Sequence, residues 1–459
     1  MKKKLFFSSF LLIAHFSFGQ FIQRGTDING EAENDQSGWA VSIDEDGNTI
    51  AIGAPFNDGN GNNSGHVRVY SFNGAAWVQQ GADIDGQVSE DQSGYAVSLS
   101  ADGSIVAIGA PFNSGNGDDS GHVRVYSFDG AAWTPRGDAI NGENAGDRSG
   151  WAISLSDDGN RIAIGAPNNG GNGINSGHVR VYEYDVDNGV WVQLGFDIDG
   201  PTAGNLYGTA ISLNSNGTRL AVGAPTNGDN GVQSGHIRIY EFNGVDDWVQ
   251  LGADINGDGA NSYLGKAVSL NSDGTRLAVG GGPLILGDGL PALGYTRVYE
   301  YDGVTLNWVQ LGADIDGEQV GDRSGTSVSL SGDGSIVAIG APFNNNANGF
   351  SGQFRLYEFD GANWAQQGED VDGEADSDSF GYAVGLSNDG ATVVAGAISN
   401  SEVGDSVGHA RVYVNTVLST EEPGLSASLR LYPNPNSSVA TITLPHTGST
   451  VTVKVNDAQ

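Results

Sequence analysis

Cysteine is absent from this 459-residue chain, and only 20 of its residues are lysine or arginine. Without thiols the chain can form neither disulfides nor thiolate-ligated metal sites. The basic residues are outnumbered by 55 aspartates and glutamates, which gives a formal net charge of -35. Nucleic acid is therefore excluded as a partner, because phosphate binding needs a basic surface. An acidic surface suits solubility, cation binding or a basic partner.

Long apolar runs are also missing. Residues 1–19 predict a secretory signal peptide, with three lysines at Lys2 to Lys4, a mostly apolar stretch at 5–14 and a small-residue cleavage site at 17–19. That stretch is shorter than the roughly 20 residues that a membrane-spanning helix needs. We therefore expect an exported protein, secreted or attached to the cell surface, with no transmembrane segment after the signal is removed.

Glycine, in contrast, is plentiful at 72 residues, and it falls at fixed positions of a repeat. The segment at 37–43, Ser-Gly-Trp-Ala-Val-Ser-Ile, returns at intervals of 56 to 60 residues. A unit of that length is one supersecondary motif, and its repetition predicts a propeller, a solenoid or an array. The copies begin at Ser37, Ser93, Ser149, Tyr207, Leu264, Ser324 and Phe380.

Each copy predicts four antiparallel strands, which is the content of one propeller blade. Tight turns are expected at Asp46-Gly47 and Asn73-Gly74, because such turns favour residues that tolerate positive φ. The first strand should lie innermost, because its small residues fit where the blades converge. The tryptophan strand should then lie outermost. In the first copy the four strands are predicted near residues 38–43, 50–53, 66–70 and 77–79.

The seventh copy lacks its tryptophan strand, and the missing piece lies at the other end of the chain. Residues 21–25, Phe-Ile-Gln-Arg-Gly, match residues 77–81, Trp-Val-Gln-Gln-Gly. An N-terminal strand that completes the last repeat is needed by a circular fold and not by a linear solenoid, and it removes two free strand edges. We therefore predict an all-β, seven-bladed β-propeller over residues 20–414, with four-stranded antiparallel blades closed by the N-terminal strand.

The repeats resemble the FG-GAP repeat, best known from the seven-bladed propeller of integrin α subunits. Phe380-Gly381 and Gly53-Ala54-Pro55 carry the two halves of that motif, and the resemblance spans about residues 21–414. Integrin-type repeats often carry a calcium loop of alternating aspartates before the Gly-Ala-Pro strand. Only Asp44-Glu45-Asp46-Gly47 approaches that pattern, so the resemblance implies calcium at Asp44 and Asp46 and not at the equivalent turns of other blades.

The links between blades supply further calcium candidates. They repeat Asp-Ile-Asp-Gly, and carboxylates two residues apart in a turn can hold calcium. The alternative is that each aspartate only caps its turn by bonding the backbone two residues on. The candidate ligands are Asp83, Asp85, Asp197, Asp199, Asp314 and Asp316.

Two basic rows recur on the third strand. An active site needs one asymmetric set of residues, so the repetition favours a structural role for the histidines. Residues two apart share a strand face, so both rows should lie between blades. A buried arginine needs a partner, and a ring of arginines that binds an anion is the alternative. The histidines are His66, His122, His178, His236 and His409, the arginines are Arg68, Arg124, Arg180, Arg238, Arg297, Arg355 and Arg411, and the predicted arginine partners are Asp35, Asp91, Asp147, Asp322 and Asp378.

The composition changes near residue 414. Residues 415–427 predict a linker, and residues 428–459 resemble the C-terminal sorting domain of the bacterial type IX secretion system. The signature is Tyr432-Pro433-Asn434-Pro435, followed by short strands, and family members continue past Gln459. The resemblance implies contact with the type IX secretion machinery and an apparently incomplete sorting domain.

These features favour a non-catalytic role in adhesion or in binding of an extracellular protein or glycan. No catalytic residue and no cofactor other than calcium is predicted. One alternative is an enzyme with its site at the propeller axis, and another is a structural spacer without a ligand. The interblade links and the second-to-third loops should share one broad acidic face. An apolar segment at 282–291 lies on it, and either sequence drift with local packing or a partner site would explain that segment.

Overall fold

The computed structural model describes residues 21–282, 293–345 and 349–416, together with the backbone of two further strands, Ala440–Thr443 and Thr450–Val453, which pair antiparallel. The predicted signal peptide, nearly all of the apolar segment and most of the predicted sorting domain lie outside the described residues. Within the described part every regular element is a strand. A search of that part finds no helix that could cross a membrane.

Seven antiparallel sheets form the blades of a propeller, which confirms the predicted fold class. The first, innermost strands of blades 1 to 7 are Ala40–Ile43, Ala96–Leu99, Ala152–Leu155, Ala210–Leu213, Ala267–Leu270, Ser327–Leu330 and Phe380–Leu386. The second strands are Thr49–Ala54, Ile105–Ala110, Arg161–Ala166, Arg219–Ala224, Arg276–Gly281, Ile336–Ala341 and Thr392–Ala397. The third strands are His66–Phe72, His122–Phe128, His178–Asp185, His236–Phe242, Tyr295–Asp302, Gln353–Phe359 and His409–Asn415.

The outer edge of each blade differs from the prediction, because the interblade link also pairs with the third strand. The fourth strand pairs with one half of the third strand, and after a short irregular stretch the link pairs with the other half. The fourth strands are Trp77–Gln79, Trp133–Pro135, Val190–Gln193, Trp248–Gln250, Asn307–Gln310 and Trp364–Asp372, with Phe21–Gln23 in blade 7. The paired links are Ile84–Asp85, Ile140–Asn141, Ile198–Asp199, Ile255–Asn256 and Ile315–Asp316, with Ile28–Asn29 in blade 7, and in blade 6 the link continues the fourth strand.

The N-terminal segment closes the ring as predicted. Phe21 pairs with Asn415 and Gln23 with Tyr413 along the edge of the last third strand. Ile28 pairs with Ala410 on the same strand. The two ends of the propeller therefore share one sheet, and the N-terminal segment covers the edge of the third strand of blade 7.

Glycine pairs explain how closely adjacent blades approach. A Cβ on Gly53 of the second strand would lie 2.1 Å from the carbonyl oxygen of Gly94, which opens the next blade. Gly94 itself has a φ of 90°, a conformation that side chains disfavour. The same contact closes the ring, where a Cβ on Gly396 would lie 2.0 Å from the oxygen of Gly38. Both glycines of the repeat are thus required by backbone contact between blades.

A closed circle of backbone hydrogen bonds surrounds the axis at the first-to-second turns. One residue per turn donates its N–H to the carbonyl of the next blade, and Asn388 completes the circle by donating to Glu45 at 2.9 Å. The members are Glu45, Ala101, Asp157, Ser215, Ser272, Gly332 and Asn388. The innermost strands are therefore held in one ring, independently of the outer edge.

The hydrophobic core lies between blades, as the alternation of the strands requires. Each cluster combines the second and third strands of one blade with the first and second strands of the next, as when Val67 and Val69 pack with Leu99 and Val106. The closing joint has the same construction, because Ile28 packs in one cluster with residues of blades 7 and 1. Polar groups that lie near these clusters must find partners inside the same narrow interface.

Candidate functional site

The arginine row lies between blades, as predicted. Arg68 donates to the carbonyl oxygen of Asn29 at 2.7 Å, across the joint with the preceding blade. Arg180 donates in the same way to Asn141, and Arg411 to Asp372. Each of these arginines therefore binds the link that leads from the blade before it, and the geometry does not support a ring of arginines at the axis.

The predicted arginine partners are wrong. Asp35 accepts bonds from the backbone of Ala32 at 2.9 Å and from the amide of Asn57 at 3.0 Å, and so caps the turn before the inner strand. The carboxylate nearest Arg68 belongs to Glu31, at 3.7 Å, four residues earlier. The prediction failed because the turn points the Asp35 side chain at its own backbone and places Glu31 over the joint.

The histidine row is buried and uncharged. His66 is 1% exposed, and desolvation lowers its pKa to about 4, with the charge of Arg68 adding to the effect. Burial likewise lowers the pKa of His178 and His409 to about 4. A neutral imidazole can accept a proton or bind a metal ion, so the repeated histidines can still take part in proton transfer or metal binding.

The structure divides the link carboxylates that were predicted to bind calcium. Asp83 Oδ2 lies 3.9 Å from His66 Nδ1, and Asp197 Oδ2 lies 3.8 Å from His178 Nδ1. Asp85 and Asp199 are exposed, and neither belongs to a group of three metal-capable side chains in the described residues. The two aspartates of one Asp-Ile-Asp-Gly link therefore have different surroundings, and calcium binding at these four aspartates stays a prediction.

The remaining calcium candidates already have protein partners. Both oxygens of Asp314 accept bonds from Arg297, at 2.9 and 2.8 Å, and the backbone oxygen of Asp316 accepts one from Arg355. Asp44 and Asp46 both accept the backbone N–H of Asn48, at 2.8 and 3.1 Å. The bonds of Asp44 and Asp46 fit the turn-capping alternative, whereas Asp314 is paired with an arginine, and calcium binding at these aspartates stays a prediction.

The two sides of the propeller differ in construction. We call the side that carries the interblade links and second-to-third loops the link face, and the opposite side, which carries the tight turns, the hairpin face. Asn60 of a second-to-third loop donates to Gly86 of a link at 2.7 Å, so these segments share the link face as predicted. On the hairpin face an open hollow of about 1670 Å³ is lined by repeated turn residues, among them Glu45, Asp102 and Asp389.

At the link-face end of the axis the sevenfold regularity breaks. A turn precedes each inner strand, and in blade 1 the N–H of Trp39 donates to the carbonyl of Gln36 at 3.2 Å. The residue equivalent to Trp39 is aromatic in blades 7, 1, 2 and 3 and polar in blades 4, 5 and 6. Around the ring from blade 1 these residues are Trp39, Tyr95, Trp151, Thr209, Lys266, Thr326 and Tyr382.

The aromatic members form a continuous arc, which we call the aromatic arc: Tyr382, Trp39, Tyr95 and Trp151. Trp39 lies 4.9 Å from Tyr382 and 5.3 Å from Tyr95, measured between ring centroids, and Tyr95 lies 4.7 Å from Trp151. All four rings are half-buried. The guanidinium of Arg148 lies 6.0 Å from the Trp151 ring at the end of the arc.

The opposite side of the axis carries an ammonium group. Lys266 Nζ lies 3.4 Å from the carbonyl oxygen of Ser324 in the next blade. Burial, with the charge of the neighbouring Arg323 adding to the effect, lowers the pKa of Lys266 to about 7. The axis thus carries an aromatic arc on one side and one amine on the other.

Sequence reasoning missed this site, although a signal for it was available. Every repeat has a glycine at the position of Gly38, but the residue that follows it varies from tryptophan to lysine to threonine. The residue two places before that glycine also varies, although it keeps a positive φ, as in Gln36 at 51° and Arg148 at 56°. Variation at two positions of one conserved turn indicates that the backbone is structural and the side chains are free to serve a ligand.

Comparison with known proteins supports the repeat assignment. A family model described as the FG-GAP repeat matches residues 29–70 and 141–182. Those two segments are therefore similar to the FG-GAP repeat. No curated protein matches the sequence.

Solved structures share the fold at low identity. Hydrazine synthase of Kuenenia stuttgartiensis is 13% identical with a TM-score of 0.53, over 84% of this chain and 96% of that one. A putative 6-phosphogluconolactonase from Bacteroides uniformis is 12% identical with a TM-score of 0.51, over 76% of this chain and 88% of that one. At such identities the likeness shows a common propeller fold and carries nothing about activity.

Proposed function

We propose that this FG-GAP-repeat propeller is an exported, non-catalytic binding module that takes a glycan on the aromatic arc. The observation that carries the proposal is the broken symmetry at the link-face axis, since a ligand site must differ from the scaffold around it. The faces of Trp39 and Trp151 offer the rigid, amphipathic surface on which the C–H faces of sugars pack. An extracellular location is supported by the signal-like residues 1–19 and by the sorting-domain resemblance of residues 428–459.

A glycan fits this site better than an acidic partner does. The chain has a net charge of -35, so a neutral sugar approaches it without repulsion. Polar side chains that can bond sugar hydroxyls stand at the variable turn positions beside the arc, among them Gln36 and Gln92. Adhesion at a cell surface would follow from such binding, with the type IX machinery as the export partner.

The test is a glycan array followed by titration of the best hit against matched variants. Trp39→Ala and Trp151→Ala should each weaken binding more than tenfold, because aromatic anchors dominate such contacts. Thr209→Ala, at the equivalent position of blade 4, should bind like the parent protein. The proposal is overturned if both tryptophan variants keep full affinity while folded by circular dichroism. A protein array run in parallel reports the protein-ligand alternative, and silence on both arrays favours the spacer.

One observation favours a second candidate, an enzyme at the axis. The amine of Lys266, with its pKa lowered to about 7, is partly unprotonated at neutral pH and can attack a carbonyl carbon. Incubation with carbonyl compounds and borohydride, followed by peptide mass analysis, tests this role. A stable adduct on Lys266 that Lys266→Met abolishes would favour the enzyme, and an unmodified Lys266 with a panel of sugars and keto acids would exclude Schiff-base chemistry there.

A further inference from the structure

Side chains from adjacent blades meet at clusters of one histidine and two carboxylates on the link face. Ligand atoms of each cluster lie within 4.8 Å of one another. Three clusters occupy equivalent positions, in which an acid from the preceding link faces a histidine and an aspartate of the following blade. They are Glu31–His66–Asp83, Glu143–His178–Asp197 and Glu374–His409–Asp27. A fourth group, Asp229–His236–Asp254, lacks the acid from the preceding link, and Arg238 bonds both oxygens of Asp254.

The histidine in these clusters lies beside two carboxylates without bonding either of them. Nδ1 of His66 lies 3.9 Å from Glu31 Oε2 and 3.9 Å from Asp83 Oδ2, too far for hydrogen bonds. Among the described residues, neither ring nitrogen of His66 or of His409 has a hydrogen-bond partner, and both side chains are at most 1% exposed. A buried imidazole without partners, beside two carboxylates, is costly unless something binds between them.

The carboxylates are held in place by their second oxygens. Asp83 Oδ1 accepts a bond from Gln79 Nε2 at 2.6 Å, which leaves Oδ2 facing the histidine. Gln193 holds Asp197 in the same way at 2.6 Å, and Gln23 holds Asp27 at 2.6 Å. Outer partners that fix the orientation of a ligand are typical of metal sites.

The glutamate shows the same division of its oxygens. Glu31 Oε1 lies 3.7 Å from Arg68 Nη1, and Oε2 is the oxygen that faces His66. In the second cluster Glu143 Oε1 lies 3.5 Å from Arg180 Nη1. The arginine neutralises one oxygen of the glutamate and leaves the other available.

We propose that these three clusters bind zinc, one ion per interblade joint. Ligand atoms that share an ion at about 2.1 Å lie roughly 3–3.5 Å apart, so the ligand atoms, now within 4.8 Å of one another, would close by up to roughly 1–2 Å around the ion. One imidazole with two carboxylates suits zinc, whereas calcium takes oxygen ligands only. The third site joins Asp27 of the N-terminal segment to His409 of the last blade, so its ion would fasten the closure of the ring.

The chain contains its own controls. In blade 2 the two carboxylates are replaced by Gln87 and Ala139, although His122 is retained and 2% exposed. In blade 6 the histidine is replaced by Gln353, which is 1% exposed and bonds Glu318 at 3.1 Å. Glutamine is therefore compatible with the fold at the histidine position.

The experiment is calorimetric titration of the chelator-treated, full-length chain with zinc chloride. We expect close to three ions per chain and a rise in melting temperature. The triple variant His66→Gln, His178→Gln, His409→Gln should lose these sites, and His122→Gln should keep them all. Replacing zinc by cobalt should give visible absorption that disappears in the triple variant only.

Each result decides the proposal. An absence of zinc binding, unchanged binding in the triple variant or equal loss in His122→Gln would overturn it. If the triple variant does not fold, the single variant His66→Gln should lower the stoichiometry by one, and an unchanged stoichiometry would count against the assignment. A parallel calcium titration that saturates the same variant-sensitive sites would also refute the choice of zinc.

Discussion

Closure of the ring by the N-terminal segment can be tested with a matched pair of substitutions, Ile28→Ala and Ile84→Ala. Both isoleucines lie in interblade links and are almost fully buried, at 7% and 6% exposed. Ile28 pairs with Ala410 of blade 7, and Ile84 pairs with Val67 of blade 1. The first residue reaches its strand from the opposite end of the chain, and the second reaches its strand from the same repeat.

The expected cost is the same at both sites. Each substitution removes three carbons from an interblade cluster, which at about 0.8 kcal/mol per methylene amounts to about 2.4 kcal/mol before the cavity that remains is counted. Adding a cavity contribution places the loss of unfolding free energy at about 2–4 kcal/mol. Ile22, at 43% exposed on the same N-terminal segment, serves as the control, and Ile22→Ala should cost less than about 0.5 kcal/mol.

The assay is urea unfolding followed by tryptophan fluorescence and circular dichroism in parallel. Equal losses for Ile28→Ala and Ile84→Ala mean that the N-terminal segment is docked as firmly as an internal link. A loss for Ile84→Ala with none for Ile28→Ala would refute the closure, because the segment would then be undocked in solution. Divergence of the two probes would show that blades unfold separately, and the comparison would then use the transition of blade 7.

Three further outcomes are expected. Ser98→Ala should lower stability by about 1–3 kcal/mol in urea unfolding, because the Leu155 N–H loses its acceptor at 3.0 Å, and an unchanged midpoint would contradict that contact. Burial raises the pKa of Asp44 to about 6, so the stability tied to its protonated form is present at low pH and lost as pH rises through 6. Asp44→Asn copies Asn214 of blade 4 and should therefore be more stable than the parent protein at pH 7.5 in chelator, by up to about 3 kcal/mol. The gain should shrink toward pH 4, and a variant that is less stable than the parent at pH 7.5 would refute this. If Asp83 and its equivalents bind calcium, chelation should lower the melting temperature and calcium at 100 times its dissociation constant should restore about 2.7 kcal/mol, whereas no response at millimolar calcium leaves only turn capping.

Much of the fold could be predicted because its signals are local. Strand alternation, turn dipeptides and the repeat length act within one blade, and the match between residues 21–25 and 77–81 was sufficient to predict closure. The additional link strand was missed because two residues are too few to show alternation. Its pairing depends on the free half of the third strand, which is visible only once the blade is assembled.

The candidate sites were harder to predict, because each one joins residues from different blades. Arg68 binds the carbonyl of a residue 39 positions earlier, and nothing near Arg68 in the sequence marks that partner. Glu31 and Asp35 are both acids beside the same joint, and only the turn geometry decides which one faces the arginine. The link aspartates were expected to pair within one link, whereas Asp83 lies beside His66 and Glu31, and calcium binding at these aspartates stays a prediction.

The sequence alone determined the number of blades, the order of the strands and the use of the N-terminus to complete the ring, because hydrogen bonding within a blade depends on periodicity and turn chemistry over a few residues. The tertiary structure decided which side chains meet. Stacking of adjacent blades placed His66 against Glu31 and Asp83, and convergence at the axis gathered Trp39 and Lys266 into one asymmetric end of a repeating molecule. Those contacts depend on the angle and distance between blades, which are set by packing around the whole ring and are not encoded in any single repeat.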